Sequence, residues 1–324
     1  MNKSKIRDYL SGTDQGLFDQ IENHELLGAS NHIQVIGNMI ENIALTNLNN
    51  EEKKKRITEV TAYYIKTRGE ASHAIRNALK IMTNKLSSLD EMSPDFSDII
   101  IREKNKYFSD VDENLRKILS YSVHLAENCQ TILIYDYSST VEKFIIQLSE
   151  DGRERMLIIP ESRIINGGYP YVKTLHKVSG IKLKFIPDCS LFYCMKHVDM
   201  CFMGAETLYP DGTGFNTTGS DIVALICQYY HTPLYFITPM IKLYSQQLFG
   251  LKKKTVCQDL KDKLAKEWSG DIDIDNIDFE TPELIGVPPE WISGFVTEYG
   301  VIPATQMLAV ALQYIEEKMG ETDE

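Results

Sequence analysis

Five short apolar runs, separated by helical patterns, restrict the second part of this chain more than any other feature. They lie at residues 131–135 (Thr-Ile-Leu-Ile-Tyr), 156–159, 181–186, 200–203 and 234–237. Each is short for a helix and bounded by polar or glycine positions, as strands buried on both faces of a parallel sheet are. Helical patterns fall between them at 140–148, 171–178 (ended by Gly180) and 191–196, with another opening at Ser220. Strands and helices alternating roughly every 25 residues imply βαβ units and an α/β domain with a parallel sheet.

The first part of the chain has another period. Ile33, Ile36, Ile40 and Ile43 recur at helical spacing, and a second run passes through Val60, Tyr63, Tyr64 and Ile65. No proline precedes Pro94, which suits uninterrupted helices. A polar loop at 87–97 leads into a further long helix through Val123. The charged string from Glu51 to Arg56 follows Asn49-Asn50 and reads as a solvated helix start. The expected division is therefore a helical domain over 1–125 and an α/β domain over 126–324. A proline-rich bend, Val287-Pro288-Pro289, and a closing helix from about Thr305 complete the pattern.

Composition excludes some roles. The formal net charge of −12 argues against affinity gained by neutralising nucleic-acid phosphates. No apolar run approaches the ~18–20 residues of a membrane span, and the polar N-terminus is unlike a signal peptide. Cys129, Cys189, Cys194, Cys201, Cys227 and Cys257 contain no C-x-x-C pair, so reduced core thiols in a cytoplasmic protein are expected. Cys189 and Cys194 beside His197 lack a nearby fourth ligand, and no metal or cofactor is called for.

In an open parallel sheet, ligand groups come from loops at the carboxyl ends of the strands. Here those loops offer Asp136, Tyr137, Ser138 and Ser139, then Glu161, Ser162 and Arg163, then Asp188. After the fourth strand comes Glu206, followed by a loop with Asp211, Gly212, Gly214, Asn216 and Gly219 that opens into the helix at Ser220. A glycine-rich polar loop running into a helix N-terminus suits a small anionic ligand. Pro239 and Lys242 follow the fifth strand. Hydroxyls, acids and an arginine together fit a phosphorylated, polyhydroxylated small molecule.

Several motifs in these loops resemble the initiation factor 2B α/β/δ family, which includes methylthioribose-1-phosphate and ribose-1,5-bisphosphate isomerases. Strand 132–135 with Asp136-Tyr137-Ser138-Ser139-Thr140-Val141-Glu142 is similar to the regulatory-subunit pattern of a strand and Ser-Ser-x-Val-Glu. Glu161-Ser162-Arg163 resembles its Glu-Ser/Thr-Arg-Pro motif, with Ile164 in place of proline. Gly204-Ala205-Glu206 and Asn216-Thr217-Thr218-Gly219-Ser220 resemble the Gly-Ala-Asp/Glu and Asn-Lys-Ile-Gly-Thr signatures, and residues 279–303 resemble the closing segment. In the helical domain, Thr67-Arg68-Gly69-Glu70-Ala71-Ser72 falls at Thr-Arg-Pro-Thr-x-Ser, and Leu27-Gly28-Ala29-Ser30 at the Arg-Gly-Ala position. The resemblance implies a Rossmann-like second domain through which chains dimerise. Taken with the loop residues above, the candidate ligand contacts are Gly28, Ala29, Arg68, Ser72, Ser138, Ser139, Arg163, Asn216, Thr217, Gly219, Ser220 and Lys242.

The departures bear on chemistry. The isomerases resembled use a cysteine after the first strand and the motif aspartate as an acid–base pair; this chain has Asp136 near the first position and Glu206 at the second. A thiol titrates near ~8.5 and an unperturbed carboxyl near ~4, so the substitution changes the acid available at neutral pH. Leu27 and Thr217 stand where the family has an arginine and a lysine, which weakens the grip on a second phosphate. The leading reading is a regulatory protein that binds a phosphorylated sugar or nucleotide, in a eukaryote a translation initiation factor 2B-type subunit. It would act as a homodimer or higher oligomer, or with related subunits. The alternative is a divergent sugar-phosphate isomerase using Asp136 and Glu206, and a structural subunit with an empty pocket is a third reading. Blander roles stand beside each candidate: Asp136 as a helix cap, Arg68 and Arg163 in salt bridges, Asp188 in a turn, His73 in structure, and Phe192 in the core.

Overall fold

The computed structural model describes residues 2–26, 28–266, 268 and 273–319. By packing, the chain forms two units. One runs through Asn114 and includes Met240–Leu243 and the chain from Ala311; the other comprises Leu115–Pro239 and Tyr244–Val310. The division thus falls inside a helix about ten residues before the 125/126 boundary expected from pattern, and two later segments return to the first unit.

The first unit is helical: α1 (Lys3–Asp8), α2 (Gly12–Glu22), α3 (Ala29–Ala44), α4 (Asn50–Thr67), α5 (His73–Met82) and the start of α6 (Phe96–Ala126). Side chains define the starts of three of these, α1 through Asn2, α2 and α4. The Asn49 side chain accepts from Glu52 N–H at 2.8 Å and Ser11 Oγ accepts from Asp14 N–H at 3.3 Å, each satisfying an orphan donor of a first turn. The isoleucine stripe of α3 (Ile33, Ile36, Ile40, Ile43) is buried with Phe18, Ile21, Ile57 and Val60. Tyr64 joins them, its ring edge-on to Phe18 and Tyr63 at centroid distances of 6.0 and 5.5 Å. Burying each such side chain contributes about 1.5–3 kcal/mol before conformational entropy opposes it.

The second unit continues with β1 (Thr131–Tyr135), α7 (Ser139–Ser149), β2 (Arg155–Pro160), α8 (Tyr169–Leu175), β3 (Ile181–Ile186), α9 (Leu191–Cys194) and β4 (Met200–Gly204). Then come β5 (Thr207–Leu208), β6 (Gly214–Thr217), α10 (Ser220–Tyr230), β7 (Leu234–Ile237), β8 (Cys257–Asp259), α11 (Lys261–Leu264), β9 (Glu280–Pro282), β10 (Leu284–Val287), β11 (Gly294–Thr297) and β12 (Gly300–Ile302). The last helix, α12 (Met307–Met319), starts where a closing helix was expected. The five predicted strands are contiguous and run to one edge of a seven-stranded sheet ordered β12-β11-β7-β4-β1-β2-β3, parallel except for β12.

The chain builds outward from β1 to β3 and then crosses back to β4 on the other side of β1, with Tyr135 paired to Met203. That reversal puts the loops after β1 and β4 side by side, the place where an open α/β sheet binds ligands. The edge strand β3 exposes Lys182 and Lys184, charges that discourage pairing with another sheet.

Four sequence expectations need correction. The sheet has more strands than the five apolar runs suggest, because β11 and the short β12 extend it. The polar loop after Glu206 contains β5 and β6, which pair with each other and with β10 as a separate three-stranded sheet. The helix expected at 171–178 starts and ends earlier, at Tyr169 and Leu175; Pro170, which lacks an N–H, is tolerated in its first turn. Phe192 is not core: it is 48% exposed, with its ring against Tyr229 and Tyr230.

Candidate functional site

At the end of β1 the backbone turns sharply, with Asp136 at φ 57°. Aspartate tolerates this left-handed region better than most residues, and such a conformation persists only where its surroundings enforce it. Three partners do so. Tyr171, fully buried in α8, donates its hydroxyl to the Asp136 carbonyl at 2.9 Å and accepts from Ser138 N–H at 2.9 Å. The Asp136 carboxylate accepts the Ser162 hydroxyl at 2.9 Å and the Thr217 hydroxyl at 2.7 Å.

Each of these partners is itself held. Ser162, also left-handed at φ 49°, donates its N–H to Asp188 Oδ1 at 2.9 Å, and Arg163 N–H reaches Asp188 Oδ2 at 2.8 Å. Asp188 thereby fixes the Glu161-Ser162-Arg163 turn with both carboxylate oxygens. Thr217 sits in β6, and its carbonyl accepts the Ser220 hydroxyl at 2.8 Å. Gly167 closes the cradle: a Cβ there would lie 1.8 Å from Asp136 Oδ1. Burial is the main cause pushing the Asp136 carboxyl above its ordinary value; the negative charge of Asp188 adds to it, and the Thr217 and Ser162 hydroxyls oppose it.

Asp136 therefore does not cap α7. That role falls to Ser138, whose Oγ accepts from Val141 N–H at 3.4 Å, while Ser139 is the first residue of the helix. Glu206 is half-buried just past β4, and its N–H donates to the Phe215 carbonyl of β6 at 2.7 Å. Among the described residues its carboxylate has no hydrogen-bond or ion-pair partner. Asn216, next in β6, is buried with its side-chain Nδ2 unpartnered among them, a donor that burial makes expensive to leave unused. Gly219 lies at φ 104° ahead of α10, where a Cβ would meet the Tyr135 hydroxyl at 2.1 Å. Arg163 has an exposed side chain with Glu161 at 3.8 Å.

The remaining candidates belong to the helical unit. Arg68 donates to the Ile21 carbonyl at 2.7 Å and meets Glu22 at 3.4 Å, so its guanidinium stabilises the C-terminus of α2. Gly28 (φ 91°) and Ala29 start α3, and Ser72 precedes α5 with its hydroxyl buried and unpartnered among the described residues. Lys242 lies in a short turn whose Ile241 and Leu243 carbonyls both accept from buried Asn77 at 2.8 Å. His73 is buried at the start of α5.

Sequence reasoning missed Tyr171, Thr217 as a partner of Asp136, and two lysines between β7 and β10. Lys253 Nζ donates to Thr207 Oγ1 at 2.9 Å, and Lys263 Nζ to the Ile164 carbonyl at 3.1 Å. Only the run Lys252-Lys253-Lys254 hinted at the first, and a charge run reads as solvated surface.

A carboxyl, hydroxyls and one unpartnered amide donor lie near the switch point of a mostly parallel sheet, in a Rossmann-like α/β protein. The chain belongs to the Initiation factor 2 subunit family, whose sequence model matches residues 29–304. It is 24% identical over 262 residues to a Dictyostelium discoideum protein called translation initiation factor eIF2B subunit delta, covering 76% of this chain but only 41% of that relative. It is 23% identical over 289 residues to ribose 1,5-bisphosphate isomerase of Methanocaldococcus jannaschii, covering 88% and 90% of the two chains. The fold matches that of the translation initiation factor eIF-2B of Pyrococcus horikoshii OT3 with a TM-score of 0.71 at 17% identity, over 91% of this chain and 98% of that one. No helix among the described residues is long and apolar enough to cross a membrane.

Proposed function

We propose that this protein binds a phosphorylated sugar or a nucleotide at the switch point and acts as a regulatory member of its family, without the isomerase reaction. The supporting observation is how Asp136 is used: both carboxylate oxygens accept buried hydroxyls, from Ser162 and Thr217. A group held in this way orients two loops and has little freedom to shuttle protons. Asn216 Nδ2, one residue before Thr217 in β6, has no partner among the described residues and is a donor left for a ligand. The protein works as a dimer or higher oligomer, of itself or with related subunits, in the cytoplasm; in a eukaryote it is a translation initiation factor 2B-type subunit.

One observation favours a second reading, an isomerase-like enzyme. Burial raises the Asp136 pKa above its ordinary value, the direction a general acid needs, and Glu206 follows the adjacent strand β4. A thermal-shift screen of phosphorylated pentoses, hexoses and nucleotides, with NMR of every hit after incubation, separates the readings. A hit that raises the melting temperature and stays chemically unchanged is the expected result. Turnover that disappears in Asp136→Asn would establish the enzyme instead, and no hit at all would leave a structural subunit.

A further inference from the structure

Residues 251–266, 268 and 273–283 form a part of the second unit that the five-strand alternation does not account for. They build an arm: β8 pairs antiparallel with β9, Cys257 opposite Pro282 and Asp259 opposite Glu280. Inside it the Trp268 ring packs on Phe279 at 5.8 Å, and Leu260 N–H donates to the Phe279 carbonyl at 3.2 Å. The root of the arm is fixed by Lys253, whose N–H donates to the Tyr209 hydroxyl at 2.7 Å and whose ammonium meets Thr207, the residue after Glu206.

Further along, α11 lays Lys263 on the turn after β2. Its Nζ donates to the Ile164 carbonyl at 3.1 Å, one residue from Arg163. The same turn is held rigid by Asp188 through the N–H groups of Ser162 and Arg163. Burial, then the charge of Arg163, push the Lys263 ammonium below its ordinary pKa, and Glu161 partly offsets them. Arg163 and Lys263 thus belong to one turn, Lys263 through its bond to the Ile164 carbonyl and Arg163 with the Glu161 carboxylate 3.8 Å away. Like charges held together are unfavourable unless an anion joins them. An ammonium has three N–H donors and the Ile164 carbonyl takes one, so donors remain.

We propose that Arg163 and Lys263 clamp the phosphate of the bound ligand, with the arm supplying the second cation. The clamp rests on the reading of the switch point as a phosphorylated-ligand site. It orients the ligand, because Ser162 links Arg163 to Asp136: phosphate sits at the mouth, and hydroxyls point towards Asp136, Ser162 and Asn216. The ligand class is a phosphate monoester carrying free hydroxyls.

The test compares ribose 5-phosphate, glucose 6-phosphate and AMP with ribose, glucose and adenosine, using calorimetry and thermal shift on the full chain. The variants are Lys263→Gln, Lys263→Arg and Glu161→Gln. The best phosphorylated probe is expected to bind Lys263→Gln at least about ten-fold more weakly, the order of one charge-assisted hydrogen bond. Its unphosphorylated counterpart should be unaffected, Lys263→Arg should recover most of the loss, and Glu161→Gln should bind more tightly. An unchanged melting temperature of ligand-free Lys263→Gln will show that the fold survives. Equal binding of the phosphorylated probe by parent and Lys263→Gln overturns the clamp and leaves the site reading standing. Equal weakening of phosphorylated and unphosphorylated probes also overturns it. If none of the three phosphorylated probes binds the parent, the clamp and the site reading fall together.

Discussion

Asp136 carries much of the local order of this protein. It sits in a backbone region that most residues avoid, is buried, and ties β6 and the turn after β2 to the end of β1. Its carboxyl is held above the ordinary value of 3.8, chiefly by burial. Between 3.8 and the raised folded pKa, the native state keeps a proton that the unfolded chain has released. This contribution to stability is therefore fully present below that window and is lost as pH rises through it. Asp136→Asn should abolish the component, so urea midpoints of parent and variant should diverge through the window and run parallel above it. Thr217→Val removes one donor from the carboxylate and should cost about 1–3 kcal/mol near neutral pH, and less in acid where the carboxyl is neutral. An equal penalty at both pH values would show that Thr217 does not serve the ionised group. Asp136 was legible as a candidate because it follows a strand; its partners were not, since Thr217 lies 81 residues away.

The elements around the site were partly legible. Period-two and period-3.6 patterns are local, so the central strands and most long helices follow from sequence. The short strands β5 and β6 did not stand out because glycine and polar residues interrupt them, and only pairing with β10 makes them strands. Gly219 shows what this junction demands. Its φ of 104° and the Tyr135 hydroxyl, which would be 2.1 Å from an added Cβ, both exclude a side chain. Gly219→Ala should destabilise by about 2–4 kcal/mol, combining backbone strain with loss of the Tyr135–Thr218 hydrogen bond. Chemical denaturation measures it, and a change under about 0.5 kcal/mol would mean that the junction relaxes freely.

At the scale of the whole molecule, α10 presents Ile222, Leu225 and Tyr229 on one exposed face, 54%, 55% and 67% accessible. The Phe192 ring packs against Tyr229 at 5.0 Å and extends this surface. Contiguous apolar patches of this kind are uncommon on monomers and mark interaction surfaces. Under the proposed assembly, light scattering should report a dimer or larger species for the parent. The pair Leu225→Asp and Tyr229→Asp should give a smaller species with unchanged far-UV circular dichroism. A parent that is already monomeric, or a variant that stays assembled, assigns this face no role in self-association. The sequence placed Phe192 in the core because its neighbours are apolar, and burial is decided by what covers a residue rather than by its neighbours in the chain.

By itself, the sequence determined the class of each unit, the order of the central strands along the chain, and the family. All of these rest on local periodicity or contiguous motifs. It also placed Asp136, Arg163 and Glu206 in loops at the carboxyl ends of the strands, because those ends in a parallel sheet share one edge, whereas Asn216, expected in such a loop, lies in β6. The tertiary structure alone decided how those groups are used. Asp136 is committed to two hydroxyls, Asp188 holds the turn carrying Arg163, and Lys263 reaches that turn across 99 residues. Side-chain hydrogen bonds between distant segments depend on how loops meet in space, and no period along the chain encodes that meeting.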